Sequence, residues 1–481
     1  MTLPQVIITE RDGALGVLPP SAGRLTVFVG CCSSGPLNQP ATFARVPDLI
    51  SMFKDGPNVE AAAFYIANTG RPIVFVRAET TVPGSVGVIT HTGTGTSVMT
   101  ISPTEHTPVD SYQYIIVIDV GGVIGTAGIM YSMSYDGGYT FGPSTPLGTS
   151  TEIVLPTGVT LLLAAGTLVT GDLFTATGVG PNYDGPSLTA ALAALGLSAT
   201  VYDQVVLTGP IIGSMVGIAD QFVATMRARG RMRSWLGCAR MNDDGEAFAA
   251  YQTFLQGAFG GVQTIHGAVT AGAARITSAV SGRYYRRPLL NGFTALQCNV
   301  SEEVNTADVN LGPIPSAAIM DRNGNPIEHD EALNPGLDDL RFVTARSWDG
   351  YPGVYITRPR LLSNETSDFQ IIPYRRVLNL AEEALRSYFI RRLNKPIRVD
   401  TATGFILEAD AVEIEGGAVA VMRSVLLAKP KASDVQFSLS RIDNVLSTKT
   451  LTGVARVLPL AYPEFIELEV GFYNPAIATA A

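Results

Sequence analysis

The feature that most constrains the fold is a change of grammar at Thr80 that lasts until Asp184. Before it, Leu25-Thr26-Val27-Phe28-Val29-Gly30 reads as a buried strand running into a glycine loop. Ala-rich helix formers after Pro57-Asn58 predict a helix over Val59–Asn68, stopped by Gly70, and Pro72-Ile73-Val74-Phe75-Val76 is the next strand. Strand, helix, strand is the pattern of an α/β layer. Residues 81–184 are instead rich in Gly, Thr, Ser, Val and Pro, with scarcely any helical periodicity. Val86–Thr90, Tyr114–Ile118 and Leu161–Val169 read as strands between turns. In Tyr135-Asp136-Gly137-Gly138-Tyr139 the Asp-Gly step supplies the positive φ of a hairpin turn. These residues predict an all-β, sandwich-like insertion in an α/β core.

Helical patterning returns at Ser187–Leu197, a strand follows at Gln204–Leu207, and Asp220–Gly230 and Gly245–Gln256 look helical. Asp321–Asp339, with Asn323, Gly324, Asn325, Pro326 and Pro335, predicts an exposed loop. Val377, Ala381, Ala384, Leu385, Tyr388 and Phe389 recur at helical spacing and predict a helix over Val377–Asn394. Asp410–Lys429 and Ala455–Gly471 read as strands. The organisation expected is an N-terminal arm (1–24), an α/β core in two parts (25–80 and 185–340) around a peripheral β insertion (81–184), a C-terminal α/β domain (341–462) and a C-terminal arm (463–481).

Composition narrows the function. Of 481 residues, 46% are hydrophobic and only 16% charged, against roughly 25% in soluble domains, so the chain has core to spare and surface that a partner is expected to cover. A net charge of −9 disfavours tracking a phosphate backbone, so direct nucleic-acid binding is not expected. Cys31, Cys32, Cys238 and Cys298 form no CxxC and indicate neither a disulfide framework nor a zinc site, which fits a reducing compartment. The start lacks a signal-peptide pattern, and Tyr114–Tyr131, broken by Asp119 and glycines, is short for a membrane span. Assembly in the cytoplasm, without membrane insertion, is the expectation.

Candidate chemistry is sparse. Gly30-Cys31-Cys32-Ser33-Ser34-Gly35 follows a strand as a phosphate loop would, but Pro36-Leu37 stand where Lys-Ser/Thr is needed, so a structural turn is the better reading. Asp321-Arg322-Asn323-Gly324-Asn325 opens like a calcium loop, yet Pro326 replaces the required glycine and Ala332 the final glutamate. His91, His106, His266 and His329 are scattered, with none at metal-binding spacing. Arg227, Arg229, Arg231 and Arg233 form a basic cluster read as a solvated helix end or an inter-subunit contact. No catalytic, cofactor-binding or metal site is expected, and hence no enzyme.

The two ends say more. Leu3, Val6 and Ile8 lie in a β-prone piece with no local partner, and Glu464–Val470 alternates, with Phe465, Ile466, Leu468 and Val470 as its apolar members. Unpaired strands invite addition to another chain's sheet edge. If both ends do so, each subunit is stitched to its neighbours in rings or helical arrays; the alternative is that both fold back on their own domain.

The chain resembles the sheath proteins of contractile tails, found in myophages, contractile pyocins and related injection machines. The likeness is carried by Val27–Gly30 with Ser34-Gly35-Pro36-Leu37-Asn38-Gln39-Pro40, by Gly70-Arg71-Pro72 before a Val-rich strand, by Tyr351–Thr357, by Arg376-Val377-Leu378-Asn379 with its helix, and by Glu464–Gly471 before Tyr473-Asn474-Pro475. The resemblance implies a structural subunit that polymerises as stacked hexameric rings around an inner tube and contracts to drive the tube through a target cell envelope. It implies as partners other copies of the chain, a tail tube protein, and baseplate and tail terminator proteins, with no cofactor and a place in the virion tail or a headless contractile particle. On that view Arg386, Arg391, Arg392 and Lys395 give the long helix a basic face towards the tube. The alternative reading is a receptor- or carbohydrate-binding tail or surface protein that uses the β insertion.

Overall fold

A computed structural model describes residues 25–319 and 328–472. The arm residues Leu3, Val6 and Ile8, and the calcium-like opening Asp321–Asn325, lie outside the described residues. The chain divides into two compact units, Met1–Asn379 and Leu380–Ala481.

The larger unit is organised by a six-stranded sheet in the order Gly267–Thr270, Ser234–Cys238, Tyr202–Pro210, Leu25–Gly30, Ile73–Arg77, Ala41–Phe43. The first five strands are parallel and the last is antiparallel. Each parallel strand is apolar on both sides because both faces are covered. Phe28, Phe75, Val206 and Leu236 pack on one face, against helices α1 (Val46–Phe53) and α2 (Pro57–Thr69). Val27, Val29, Val74, Val205 and Trp235 pack on the other, against α3 (Gly185–Leu197), α4 (Gly213–Ala228) and α5 (Phe248–Phe259). Helix α6 (Leu289–Gln297) completes the first layer. Pro57 starts α2, and Gly70 ends it in the left-handed conformation at φ 64°. Most expected strands and helices of this unit are present, but α4 begins seven residues before Asp220, Val86–Thr90 and Leu161–Val169 are each interrupted, and α6 lies where only strands or loops were expected.

Residues 81–184 carry strands and no helix. One sheet runs Thr145–Pro146, Met130–Ser134, Tyr112–Val120, Leu173–Val179, Ser85–Val86, with Thr90–Thr92 also on Leu173–Val179; a second joins Glu152–Val154, Val159–Leu163 and Met99–His106. They enclose a core of their own, with Ile116, Ile118, Leu161 and Phe174 at its centre. The two ends of the segment meet: Val82 N–H donates to the Asn182 carbonyl at 3.0 Å and Asn182 N–H returns to Val82 at 2.8 Å.

Three expectations are corrected. Asp410–Lys429 is not a strand but most of helix α8 (Glu408–Leu426), which follows α7 (Ile372–Ile390). Ala411, Ile414, Ala418, Met422 and Leu426 form its buried stripe. Ala455–Gly471 is a strand only within Gly453–Pro459. The described part of Asp321–Asp339 is an exposed loop only in part: residues 332–335 are exposed, whereas Glu328, His329, Asp330, Glu331 and Asp338 are buried. Glu328 pairs with Arg286 and Asp338 with Arg358, while the carboxylates of Asp330 and Glu331 serve nearby backbone. Asp330 accepts from Ala332 and Ser347 N–H, and Glu331 from Gly336 and Asp338 N–H.

The smaller unit sets α8 against a two-stranded antiparallel ribbon, Ala432–Leu439 with Gly453–Pro459. Its core gathers Ile406, Ala411, Ile414 and Leu439 with Tyr388, Phe389 and Phe437. No helix among the described residues is long and apolar enough to cross a membrane.

Candidate assembly interface

The ribbon's second strand, Gly453–Pro459, is exposed along nearly its whole length. Ala432 faces Pro459 and Leu439 faces Gly453, so the two strands satisfy one another along their shared edge. Neither outer edge has a strand partner among the described residues. Val454 and Leu458 project into solvent. Open edges of this length are templates for strand addition.

Beyond Pro459 the chain carries no regular structure as far as Phe472. Phe465, Ile466, Leu468 and Val470, four of the predicted arm residues, are all exposed, as is Phe472. Alternation puts Ile466, Leu468, Val470 and Phe472 on one side and Phe465, Glu467 and Glu469 on the other. Full burial of each large apolar side chain is worth about 1.5–3 kcal/mol, so the strip is costly in water and stabilising once covered.

Of the basic residues expected to face a tube, Arg386 lies within α7, whereas Arg391, Arg392 and Lys395 lie just past its end at Ile390. Arg386, Arg391 and Lys395 are exposed. Arg392 is committed within its own unit, 2.9 Å from Glu413 and stacked over Tyr388.

The other basic cluster is not a free patch. Arg229 donates to the Gly196 carbonyl and Arg231 to the Ser198 carbonyl, which caps the end of α3; Arg233 is buried over the Tyr202 ring and Arg227 donates to Asn379. The glycine loop after the first strand is tightly packed rather than cradling. Its Cys31 and Cys32 thiols are pushed up to about 11 and about 12 by burial, and Asn58 N–H at the start of α2 bonds to the Cys31 carbonyl. Gly35, at φ +92°, leaves no room for a Cβ, which would sit 2.3 Å from the Phe53 ring. The histidines are separately engaged: His91 stacks on Phe174, His329 on Phe248 with Glu331 at 2.9 Å, and burial with two nearby arginines pulls His266 down to about 4. No group of three metal-ligating side chains converges among the described residues.

Sequence reasoning missed how the insertion is held. Residues 81–184 contain no Lys or Arg, although they include Asp110 and Asp136, which are buried. The cations come from the core. Arg287 pairs with Asp110 at 2.8 Å, Arg275 donates to the Asp136 carbonyl and to Gln113, and Asp244 accepts from Gln113 and Thr177. The signal was compositional and partial: in this segment without Lys or Arg, Asp136 and Asp172 find hydroxyl and backbone donors locally, and Asp110 alone takes a cation from the core.

The chain is similar to the sheath of an extracellular contractile injection system (PVC) in its contracted state, with a TM-score of 0.53 and 9% identity over 100% of this chain and 99% of that one. It is similar also to the helical sheath of the anti-feeding prophage (AFP) in its contracted state, with a TM-score of 0.51 and 10% identity over 98% and 99% of the two chains. A chain of the 6-fold symmetrised AFP baseplate gives 0.50 and 10%, over 98% and 100%. Residues 3–360 match the N-terminal domain of DUF2586, and the chain belongs to that family. No curated protein sequence matches it.

Proposed function

We propose that the chain is a non-enzymatic sheath subunit of a contractile tail or injection particle. Copies stack as hexameric rings around an inner tube, and contraction drives the tube through a target envelope. The observation that carries this reading is a fold likeness to contracted sheaths that spans the whole chain. The open-edged ribbon and the exposed apolar strip supply the means of polymerising. The strands expected at Leu3–Ile8 and Glu464–Gly471 are donated to neighbours, where the ribbon's two open edges offer two acceptor sites. Arg386, Arg391 and Lys395 face an acidic tube surface, while Arg392 holds the helix end to α8 through Glu413. Baseplate and terminator proteins bound the polymer, which forms in the host cytoplasm and ends in the virion tail or a headless particle. A receptor-binding reading accounts for the insertion alone, whereas the likeness runs through both units.

The test is to express the chain alone and image soluble and pelleted material by negative-stain electron microscopy. Long hollow cylinders with cross-striations are expected, and deletion of residues 1–20 or 463–481 should leave folded protein that forms none. Normal tubes from both deletions would refute strand donation; discrete particles even with a co-expressed tube protein would refute the sheath reading.

A further inference from the structure

Helix α3 carries no charged side chain along Gly185–Leu197, and its exposed positions are Pro186, Thr189, Ala190, Ala193 and Leu197. The exposed positions of α4 beside it, Ser214, Gly217, Gln221, Ala224 and Ala228, are uncharged as well. A helix that faces water ordinarily carries charge on its outer side, so this pair is built to be covered. The two helices form a groove of about 520 Å³, with Leu192, Ala193, Gly196, Ile218, Phe222 and Met226 in its lining. Leu197, also in the lining, is 82% exposed. Among the described residues that line the groove, Arg229 alone is charged. It donates to the Gly196 carbonyl through one nitrogen and remains exposed.

The same unit carries a knob of matching chemistry. Strands Ala345–Trp348 and Tyr351–Ile356 form a hairpin that turns at Asp349-Gly350, with Trp348 paired to Tyr351 at its tip. Both aromatic residues are exposed, and the Arg346 guanidinium lies 3.5 Å from the Trp348 ring centroid. Trp, Tyr and Arg are the residue types that dominate binding energy at protein interfaces. Asp349, exposed at the turn, supplies the acid that complements Arg229. The hairpin's inward residues Ala345, Val354 and Ile356 pack in the layer of α1, α2 and α6, on the other face of the six-stranded sheet from α3 and α4. Knob and groove therefore belong to different sides of one copy, and joining them across copies is a head-to-tail contact, which builds rings or helical arrays. The strip Phe465–Phe472 is the competing occupant, but an extended segment takes an open sheet edge, which two helices do not offer. We propose that in the polymer the Trp348–Tyr351 tip of one copy seats in the α3/α4 groove of a neighbouring copy, with Asp349 against Arg229. The contact rests on the sheath reading and joins compact unit to compact unit, beside the links made by the terminal segments.

The test crosslinks assembled tubes of the full-length chain. Cys31, Cys32, Cys238 and Cys298 are buried, so Pro352→Cys beside the tip and Thr225→Cys in the groove lining, one helical turn before Arg229, place a reactive thiol on each side of the contact. A short bismaleimide added to tubes of the double variant is expected to give a ladder of dimers, trimers and larger products on a denaturing gel, and neither single variant should give one. In that background Trp348→Ala, or Leu197→Asp at its exposed position, should cut the ladder about tenfold or more, with tubes still forming through the terminal segments. Intact tubes without a ladder, or a ladder unmoved by both substitutions, overturn the contact and leave the sheath reading standing. A ladder from Thr225→Cys with Leu468→Cys in its place puts the terminal strip in the groove and overturns the contact too. No tubes, even with a co-expressed tube protein, overturn the sheath reading and this contact with it.

Discussion

Replacing Arg287 with methionine should destabilise the larger unit by about 3–5 kcal/mol at pH 8, the usual cost of removing one partner from a buried ion pair. The Arg287 side chain is 3% exposed, with Nη2 2.8 Å from Asp110 Oδ2 and Nη1 donating to the Ser111 carbonyl at 2.5 Å. Methionine keeps much of the stem but leaves Asp110 buried without a cation. Burial already raises Asp110, and pushes Glu60 up to about 7, with Arg287 opposing both shifts. The pH dependence follows. An unfolded glutamate titrates near 4.3, so between that value and about 7 the folded chain holds a proton on Glu60 that the unfolded chain has released. Wild-type stability therefore falls as pH rises through this window, by about 4 kcal/mol in all. Without Arg287 both carboxyls keep their protons to higher pH, and the loss should shrink on moving from pH 8 to pH 5. A double variant, R287M/D110L, should recover most of the stability, since an apolar pair replaces a charged one. Urea titration followed by tryptophan fluorescence is the assay: Trp235 and Trp348 both fall in the larger unit, and Trp235 is 1% exposed. A loss below about 1 kcal/mol, or an equal loss at both pH values, would refute the argument.

Excising residues 83–181 through a short Gly-Ser linker should leave a folded core, because the Val82–Asn182 bridge already holds the cut ends together. Tubes from the excised chain, seen by negative stain, would mark the insertion as peripheral, and an insoluble core would not. Charge reversal of Arg386, Arg391 and Lys395 to Glu should leave the circular dichroism spectrum unchanged yet abolish salt-sensitive co-sedimentation with an acidic tube. Gly267→Ala places a Cβ 1.9 Å from the Trp235 indole, so the same urea titration should register a loss of about 1–3 kcal/mol or more.

The core strands were legible because residues such as Val27, Phe28 and Val29 are buried on alternate faces, and only a sheet covered on both sides asks for an unbroken apolar run. Helix α8 was misread for the opposite reason. Its valines favour a strand and the Gly416-Gly417 pair weighs against a helix, but the Ala411, Ile414, Ala418, Met422 spacing is helical, and tertiary packing decided between them. Gly417 is required by that packing, since a Cβ there would lie 2.1 Å from the Tyr388 hydroxyl. The joint between Arg287 and Asp110 spans 177 positions, and no local pattern encodes a pairing of that range. Residues 328–339 looked exposed because polar residues usually are; here Asp330 and Glu331 are inside because the turn's own backbone needs acceptors.

On the sheath reading, the division of labour between rigid and extended parts decides where contraction draws its energy. Phe465, Ile466, Leu468, Val470 and Phe472 are covered only by association, so the contacts they make with a neighbour have to persist in both the extended and the contracted polymer. Losing them between states would expose side chains worth about 1.5–3 kcal/mol each. A link that persists contributes equally to both states and cannot drive a transition between them. The difference must then lie on surfaces that slide or rotate, which are the outer faces of the two compact units. The terminal segments set how firmly subunits stay joined, and substitutions there should change assembly far more than the direction of contraction. Substitutions on the exposed faces of α3 and α4, or at the exposed turn between the paired strands Ala345–Trp348 and Tyr351–Ile356, should do the reverse and shift the balance of extended and contracted sheaths with assembly intact, which electron microscopy can count.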